Sequence, residues 1–377
     1  MKKSLIALAA LATVATAAQA QSSVTLGGRI DAGITSFSKA NSAGDGKLIA
    51  QDSGLTTSRW QLDGKEDLGQ GMRATFSLVS GLNSQTGAAS SAGSGGTTRL
   101  FDRNAFVAIE QDGIGRLALG RQESVAYDLM ARFSPTSYSN TIEGGKISNK
   151  QNVYGNLFYE TSGTTFAKSQ AKDDDTVRAD NLIKYSGKFG GLNVMAAYAP
   201  GGNAGDAQAG SKYQIGAAYN AGVAEIVATH SEYNVDSVSS SGVTTSVGTA
   251  KVDTYGLRVP VGALTLKAAY ANSKAESQAA TGTAPQIKLT SFGATYALNH
   301  NLDLTAFIYK KDVTKVATEY KQDTYGLLAE YKLSKRTKLY SHIANFKNSN
   351  NVDLNTTGTS LGTSKTTAIN AGVVHNF

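Results

Sequence analysis

Residues 24–34 read VTLGGRIDAGI, and this stretch decides the fold. Apolar side chains such as Val24 and Ile34 occupy its even positions, whereas Arg29 and Asp31 occupy odd ones. Successive side chains of a strand point to opposite faces, so the pattern predicts a strand with one apolar and one polar face. An amphipathic helix would instead repeat its apolar residues three and four positions apart.

The same alternation returns along the chain and is interrupted by two kinds of connection. Seven short ones contain turn-forming residues, and eight long ones are polar and rich in Gly, Ser, Asn and Thr. The short connections are predicted at 66–71, 112–115, 187–191, 221–223, 261–263, 298–301 and 332–336. The long ones are predicted at 36–57, 81–98, 125–176, 201–211, 234–250, 272–286, 311–321 and 347–365. Together they separate sixteen strands.

This sorting of the connections is typical of outer-membrane barrels, which have short periplasmic turns and longer extracellular loops. We therefore predict an all-β fold, a transmembrane antiparallel β-barrel of 16 strands. Several tyrosines near strand ends fit the aromatic girdles of such barrels: Tyr198, Tyr219, Tyr270, Tyr296 and Tyr331. A soluble exported β-protein is the alternative, although a sandwich would not sort its loops by length. A parallel β-helix would show a fixed short repeat, which the sequence lacks.

The first twenty residues are predicted to be a cleaved signal peptide. Lys2 and Lys3 precede an apolar run at 5–18, and Ala18-Gln19-Ala20 matches a cleavage site. Residues 21–377 would then form a single barrel domain. Loss of the two lysines lowers the formal net charge from +7 to +5. The chain has no cysteine, so closed sheet pairing or oligomerisation must hold it together.

Function follows from this architecture, because sixteen strands enclose a lumen too wide for side chains to fill. Small hydrophilic solutes would cross it by passive diffusion. We expect no enzyme, cofactor, metal or nucleic-acid partner, since the four histidines lack metal-ligand spacing and no Ser/His/Asp set stands in a catalytic context. A barrel hydrolase remains a minor alternative.

Five stretches of the chain resemble the general diffusion porins of Gram-negative bacteria, in the branch common among beta-proteobacteria. They are SSVTLGGRIDAGI at 22–34, SRWQLDGKEDLGQGMRATFSL at 58–78, RLFDRNAFVAIEQDGIGRLALGRQ at 99–122, RADNLIKYSGKFGGLNVMAAY at 178–198 and NAGVVHNF at 370–377. Gly27 departs from the tyrosine expected in the first motif.

The resemblance implies a homotrimer in the Gram-negative outer membrane, in contact with outer-membrane lipids and lipopolysaccharide. It also implies that the third loop, at 124–176, folds into the lumen. The terminal Phe377 resembles the signal that the outer-membrane assembly machinery reads.

The resemblance further implies a ladder of basic residues facing the third loop. By motif match it falls on Arg29, Arg59, Arg103 and Arg178, with Arg121 as a further candidate. Alternation independently assigns Arg29 and Arg59 to the polar face. Guanidinium groups keep their charge, and charges in a narrow wet constriction select ions.

Acidic residues facing the ladder would weaken its field. Asp31, Asp128 and Glu143 are the candidates for pore-facing acids, whereas 133–138 lack the carboxylate that such porins carry there. We therefore predict weak to moderate anion preference. The alternatives are that loop lysines account for the charge, that the channel selects phosphate, organic acids or sugars, or that the protein is a surface adhesin.

Two further features favour ordinary loops. Asp173-Asp174-Asp175 could bind a cation, yet a solvated loop is the simpler interpretation because hard cations need several convergent oxygens. The glycine-rich segment 87–96 lacks a phosphate-loop lysine and opens no predicted helix.

Overall fold

The structure is a computed structural model. It describes residues 22–41, 43–89, 99–137, 139, 177–238, 244–277, 286–314, 319–349 and 364–377. The predicted signal peptide, Glu143, the three aspartates at 173–175 and most of the glycine-rich segment lie outside the described residues.

The described residues form seventeen strands and one helix. The strands are β1 (Ser23–Phe37), β2 (Lys47–Asp52), β3 (Arg59–Gly69), β4 (Met72–Gly81), β5 (Asn104–Gln111), β6 (Gly115–Glu123), β7 (Arg178–Phe189), β8 (Leu192–Ala199), β9 (Lys212–Asn220), β10 (Glu225–Val238), β11 (Thr244–Val261), β12 (Leu264–Ser277), β13 (Gln286–Ala297), β14 (Leu302–Thr314), β15 (Glu319–Lys332), β16 (Thr337–Asn348) and β17 (Lys365–Asn376). The helix, α1, spans Val125–Met130.

The strands form one closed antiparallel sheet in which β1 pairs with β17. Both β2 and β3 pair antiparallel with β1, the former beside 32–37 and the latter beside 23–29. They are therefore two halves of one barrel strand. The barrel has sixteen strand positions, as predicted from the sequence. Among the strands that the structure describes, closure leaves no unpaired sheet edge, which is what a β-structure inside lipid requires.

The seven short turns lie where the alternation predicts them, but several predicted long loops are wrong over much of their length. The predicted loop at 311–321 is mostly strand, because β14 continues to Thr314 and β15 begins at Glu319. Residues 272–277 of the predicted loop at 272–286 belong to β12. Residues 47–52 of the first loop form β2. The predicted loop at 234–250 is mostly strand, because β10 continues to Val238 and β11 begins at Thr244. These extensions are rich in Ser, Thr and Val, which favour strands without the apolar alternation that lipid imposes.

The two faces of the barrel wall differ as the alternation predicts. Val24, Ile215 and Leu327 point outward and are 68%, 59% and 60% exposed. An apolar belt of this extent suits contact with lipid rather than water. Among the described residues, no helix has the length and apolar character needed to cross a membrane.

Barrel closure involves the terminal residue Phe377. Its backbone N–H and carbonyl exchange hydrogen bonds of 3.1 Å each with Gly28. A Cβ at Gly28 would collide with the Phe377 ring, so a glycine at this position lets the ring lie against the first strand. The role of Phe377 as an assembly signal stays a prediction.

Apolar packing inside the barrel occurs where the third loop meets the wall. Ser124 caps α1 by accepting a hydrogen bond of 3.1 Å from the Tyr127 N–H. The helix side chains then pack against inward-facing wall residues. The largest fully buried members of this cluster are Phe37, Met130, Phe133, Leu182, Leu328 and Phe346.

Candidate pore constriction

The third loop lies inside the barrel over its described part, 124–137 and 139. It leaves the wall after β6, and the N–H of Val125 donates to Gln214 Oε1 on β9 at 2.8 Å. Further along, the Tyr309 hydroxyl on β14 lies 2.8 Å from Thr136 Oγ1. The loop thus follows the inner wall around much of the circumference and narrows the lumen.

Charged contacts hold the loop against this wall. Asp128 of α1 pairs with Lys184 on β7 at 2.8 Å. Lys267 on β12 donates to the Ser134 carbonyl oxygen at 3.1 Å. Arg132 forms an ion pair with Glu225 at the start of β10.

Glu225 holds two cations at once. Besides Arg132, it binds Arg258 of β11 at 2.6 Å. The Glu225 side chain is only 8% exposed, so its charge is matched by the two guanidinium groups rather than by water. The charged groups that hold the third loop to the wall therefore all have partners.

Four of the predicted arginines gather along β1, β3, the approach to β5, and the start of β7. Arg29 and Arg59 face each other across the β1–β3 ladder. Arg103 interacts electrostatically with both Arg59 and Arg178. We name these four residues the basic row: Arg29, Arg59, Arg103 and Arg178.

Tyr127 of α1 is the point where the basic row meets the third loop. Its ring centroid lies 5.8 Å from the Arg178 guanidinium carbon. Arg29 and Arg103 also interact electrostatically with Tyr127. The row and α1 therefore face each other, which forms the candidate constriction.

Members of the basic row differ in their partners. Arg178 approaches Glu123 at 3.7 Å. Within the described chain, Arg59 and Arg103 form no hydrogen bond and no ion pair through their side chains, and Arg103 Nε is buried without a partner. The guanidinium charges of Arg59 and Arg103 can therefore act on ions in the lumen.

Arg121 belongs to a different cluster. It pairs with Asp180 at 2.7 Å and donates to the Asp102 carbonyl oxygen at 2.7 Å. Asp180 also binds Arg99 at 2.8 Å. The charge of Arg121 is therefore matched locally, unlike those of Arg59 and Arg103.

The two predicted acids that the structure describes are both engaged. Asp31 points inward but is fully buried, and its carboxylate accepts three hydrogen bonds. Asp128 lies on α1 and pairs with Lys184. Neither carboxylate forms an ion pair with the basic row.

Sequence reasoning missed Tyr127, Lys184, Glu225 and Lys267. Alternation assigns Lys184 and Lys267 to inner faces, but it does not identify their partners. Lys184 and Asp128 are 56 residues apart in the chain, and Lys267 and Ser134 are 133 apart. Such contacts become visible only when the barrel brings the loop and the wall together.

The closed sheet, its apolar outer belt and its charged interior define a transmembrane β-barrel of the outer-membrane class. A model of a family described as "Gram-negative porin" matches residues 7–351, and the chain belongs to this family of the Gram-negative outer membrane.

Two curated relatives match parts of the chain. An outer membrane porin protein of Bordetella pertussis is 39% identical over 150 residues, which are 36% of this chain and 37% of the relative. Outer membrane porin protein 32 of Delftia acidovorans is 37% identical over 206 residues, or 53% of this chain and 50% of the relative. The chain thus spans half or less of the length of these relatives.

Solved porins share the fold over nearly the whole chain. An anion-selective porin from Comamonas acidovorans superposes with a TM-score of 0.73 at 23% identity, covering 95% of this chain and 100% of that one. OmpT of Vibrio cholerae gives a TM-score of 0.64 at 13% identity, covering 94% and 98%. At these identities the likeness supports the architecture.

Proposed function

We propose that this porin forms a water-filled channel for the passive diffusion of small hydrophilic solutes, with weak to moderate preference for anions. The observation that carries the anion preference is the basic row, in which Arg59 and Arg103 lack acidic partners within the described chain. Charges that line a narrow wet passage favour ions of opposite sign.

Two further observations support the proposal. The acids Asp31 and Asp128 are occupied by structural contacts and form no ion pair with the row. The solved porin from Comamonas acidovorans with the same fold is described as anion-selective. The described part of the third loop is held to the wall by ion pairs on β7 and β10, which supports a fixed passage rather than a movable plug.

Single-channel recording in a planar bilayer tests this function. We expect large ohmic conductance steps, and a reversal potential under a potassium chloride gradient whose sign reports chloride preference. A correctly folded protein that conducts nothing would contradict the channel. Steady preference for potassium at moderate salt would contradict the role of the basic row.

A second candidate is a channel selective for phosphate, organic acids or sugars. The guanidinium groups of Arg59 and Arg103, which have no ion-pair partner within the described chain, favour it for the anionic solutes, because an oxyanion could pair with them. Conductance that saturates with phosphate or with a dicarboxylate, but not with chloride, would support selective binding. A neutral sugar at equal concentration is the control, and saturation by the sugar alone would favour a sugar channel. An adhesin is a weaker alternative, and it predicts unchanged permeability on deletion of the gene.

The assembly and partners follow from the same proposal. We infer a homotrimer that contacts outer-membrane lipids and lipopolysaccharide and is inserted by the outer-membrane assembly machinery, after removal of residues 1–20. One solved relative, OmpT of Vibrio cholerae, is described in a trimer form. Conductance steps that arrive in threes, and a cross-linked mass of three chains, would support the trimer. We infer that the protein transports solutes without catalysing a reaction.

A further inference from the structure

The second barrel strand is interrupted by an inward turn at the level of the basic row. β2 ends at Asp52 opposite Ala32, and β3 begins at Arg59 opposite Arg29. Only two residues of β1 lie between these pairs, whereas six residues, 53–58, connect β2 to β3. The connection is four residues longer than a continuous ladder needs. We call residues 53–58 the lumen turn.

Asp31 anchors the lumen turn to the inner wall. Its Oδ2 atom accepts hydrogen bonds from the Leu55 and Thr56 N–H groups at 2.8 and 2.6 Å. Its Oδ1 atom accepts a third from the Tyr340 hydroxyl at 2.7 Å. A carboxylate that accepts several such bonds is held firmly, and it holds its donors in turn.

Other contacts show that the lumen turn is a built feature. Ser53 has a φ of 57°, and its N–H donates to the Asp31 carbonyl oxygen at 2.9 Å. A positive φ at a residue other than glycine persists only where surrounding contacts fix it. Leu55 is 5% exposed and belongs to the interior apolar cluster. A Cβ at Gly54 would collide with the Tyr340 hydroxyl, so the turn lies tightly against the wall.

The lumen turn also reaches the two functional elements of the constriction. Ser139 Oγ of the third loop donates to the Gly54 carbonyl oxygen at 3.4 Å. Thr56 Oγ1 accepts a hydrogen bond of 2.7 Å from Arg29 Nη1, and Asn376 Oδ1 accepts one of 2.8 Å from Arg29 Nε. The turn therefore fixes the direction of the first guanidinium of the basic row.

We propose that the lumen turn is a second constriction element beside the third loop, and that Asp31 is a positioning residue that sets anion preference by holding this turn against Arg29. The inference rests on the proposed channel function. Asp31 acts through the turn and not as a charge exposed to the passing ions, because it is fully buried and its oxygens are engaged.

Two substitutions of Asp31 separate anchoring from charge. Asp31→Asn removes the negative charge but keeps an oxygen that can accept from Leu55 and Thr56 and an amide that can donate to Tyr340. Asp31→Ala removes the same charge and all three bonds. Both variants, and a third lacking residues 54–57, would be recorded in planar bilayers under a potassium chloride gradient. The deletion leaves Ser53 and Ser58 to complete the ladder opposite β1.

For Asp31→Ala and for the deletion, we expect conductance to rise by about 1.5-fold or more and the chloride-to-potassium permeability ratio to fall, because a wider passage weakens the field of the basic row. Asp31→Asn should stay close to the wild type. Equal rises of chloride preference in both substitutions, at unchanged conductance, would show that Asp31 acts by charge and would overturn the proposal.

Folding and channel function are monitored separately. The heat-dependent mobility of each variant on a denaturing gel reports whether the barrel has formed, and if Asp31→Ala fails to fold, the deletion decides. A folded deletion variant with wild-type conductance and selectivity would overturn the lumen turn as a constriction element. A wild-type protein that conducts nothing would instead contradict the channel function itself.

Discussion

Two groups of charges inside the barrel differ in how they are partnered. Along the third loop, Asp128 pairs with Lys184, and Glu225 binds both Arg132 and Arg258. In the basic row, the side chains of Arg59 and Arg103 form no hydrogen bond and no ion pair within the described chain. The charges along the third loop are therefore paired as in the interior of a stable protein, whereas two guanidinium groups of the basic row are left to interact with ions.

This difference indicates which charges stabilise and which act on ions. Placing like charges together and leaving them unpaired costs stability, and proteins tolerate such violations mainly at functional sites. The electrostatic potential of a paired charge inside the barrel is largely cancelled by that of its partner. We therefore expect substitutions in the basic row to change ion selectivity, and substitutions of the charges that hold the third loop to change stability.

The largest effect is expected for the double substitution Arg59→Gln and Arg103→Gln. It removes the two unmatched guanidinium groups, so the chloride-to-potassium permeability ratio should fall to about one or below. Unfolding should require equal or higher denaturant concentrations, since a repulsion is removed. Reversal potentials under a salt gradient measure the first effect, and denaturant titration of the barrel measures the second.

The matched control replaces two arginines that have partners outside the constriction. Arg73 binds Asp112 at 2.7 Å, and Arg116 approaches Glu110 at 3.4 Å. Replacing both with Gln changes the net charge by the same amount and should leave the permeability ratio nearly unchanged. A similar fall in both double variants would assign selectivity to the overall charge of the protein.

An intermediate effect is expected for Glu225→Ala. The substitution leaves Arg132 and Arg258 facing each other without their shared carboxylate. Loss of hydrogen bonds to charged groups should lower the free energy of unfolding by about 1.5 to 3 kcal/mol, toward the lower end because both arginines are partly exposed. Because the third loop then has one wall contact fewer, low-frequency noise in the single-channel current should also increase.

Glu330→Ala is the control for this change. Glu330 binds a single partner, Lys338, at 2.6 Å, and both side chains are partly exposed. Removing an exposed pair should cost about 1 kcal/mol or less. Equal losses of stability in the two variants would show that Glu225 makes no special contribution to holding the third loop.

The sequence predicts the barrel wall well because its signal is local. A strand alternates its side chains every two residues, so the faces of β1 could be assigned from residues 24–34 alone. The short turns were equally visible, since a two- to four-residue connection needs turn-forming residues at fixed positions. The predictions failed where lipid no longer imposes alternation, as in the upper parts of β10 and β11.

The candidate site could be predicted only in part. Motif similarity selected four arginines that lie near one another in the structure, but it grouped with them Arg121, which pairs with Asp180 instead. Asp31 was also predicted to be a charge facing the pore. Its carboxylate instead accepts hydrogen bonds from the lumen turn and from Tyr340, which is 309 residues away from Asp31 in the chain. Whether a charge is free or matched depends on contacts distant in sequence, and alternation carries no information about them.

The smallest effect is expected for a change of pH, and a constant permeability ratio would support the role of the basic row. If the basic row sets selectivity, the chloride-to-potassium permeability ratio should be nearly constant between about pH 7 and pH 9, because guanidinium groups stay charged there. A marked change between about pH 7 and pH 9 would assign the preference to groups that titrate near neutrality. The basic row would then not be the source of the chloride preference.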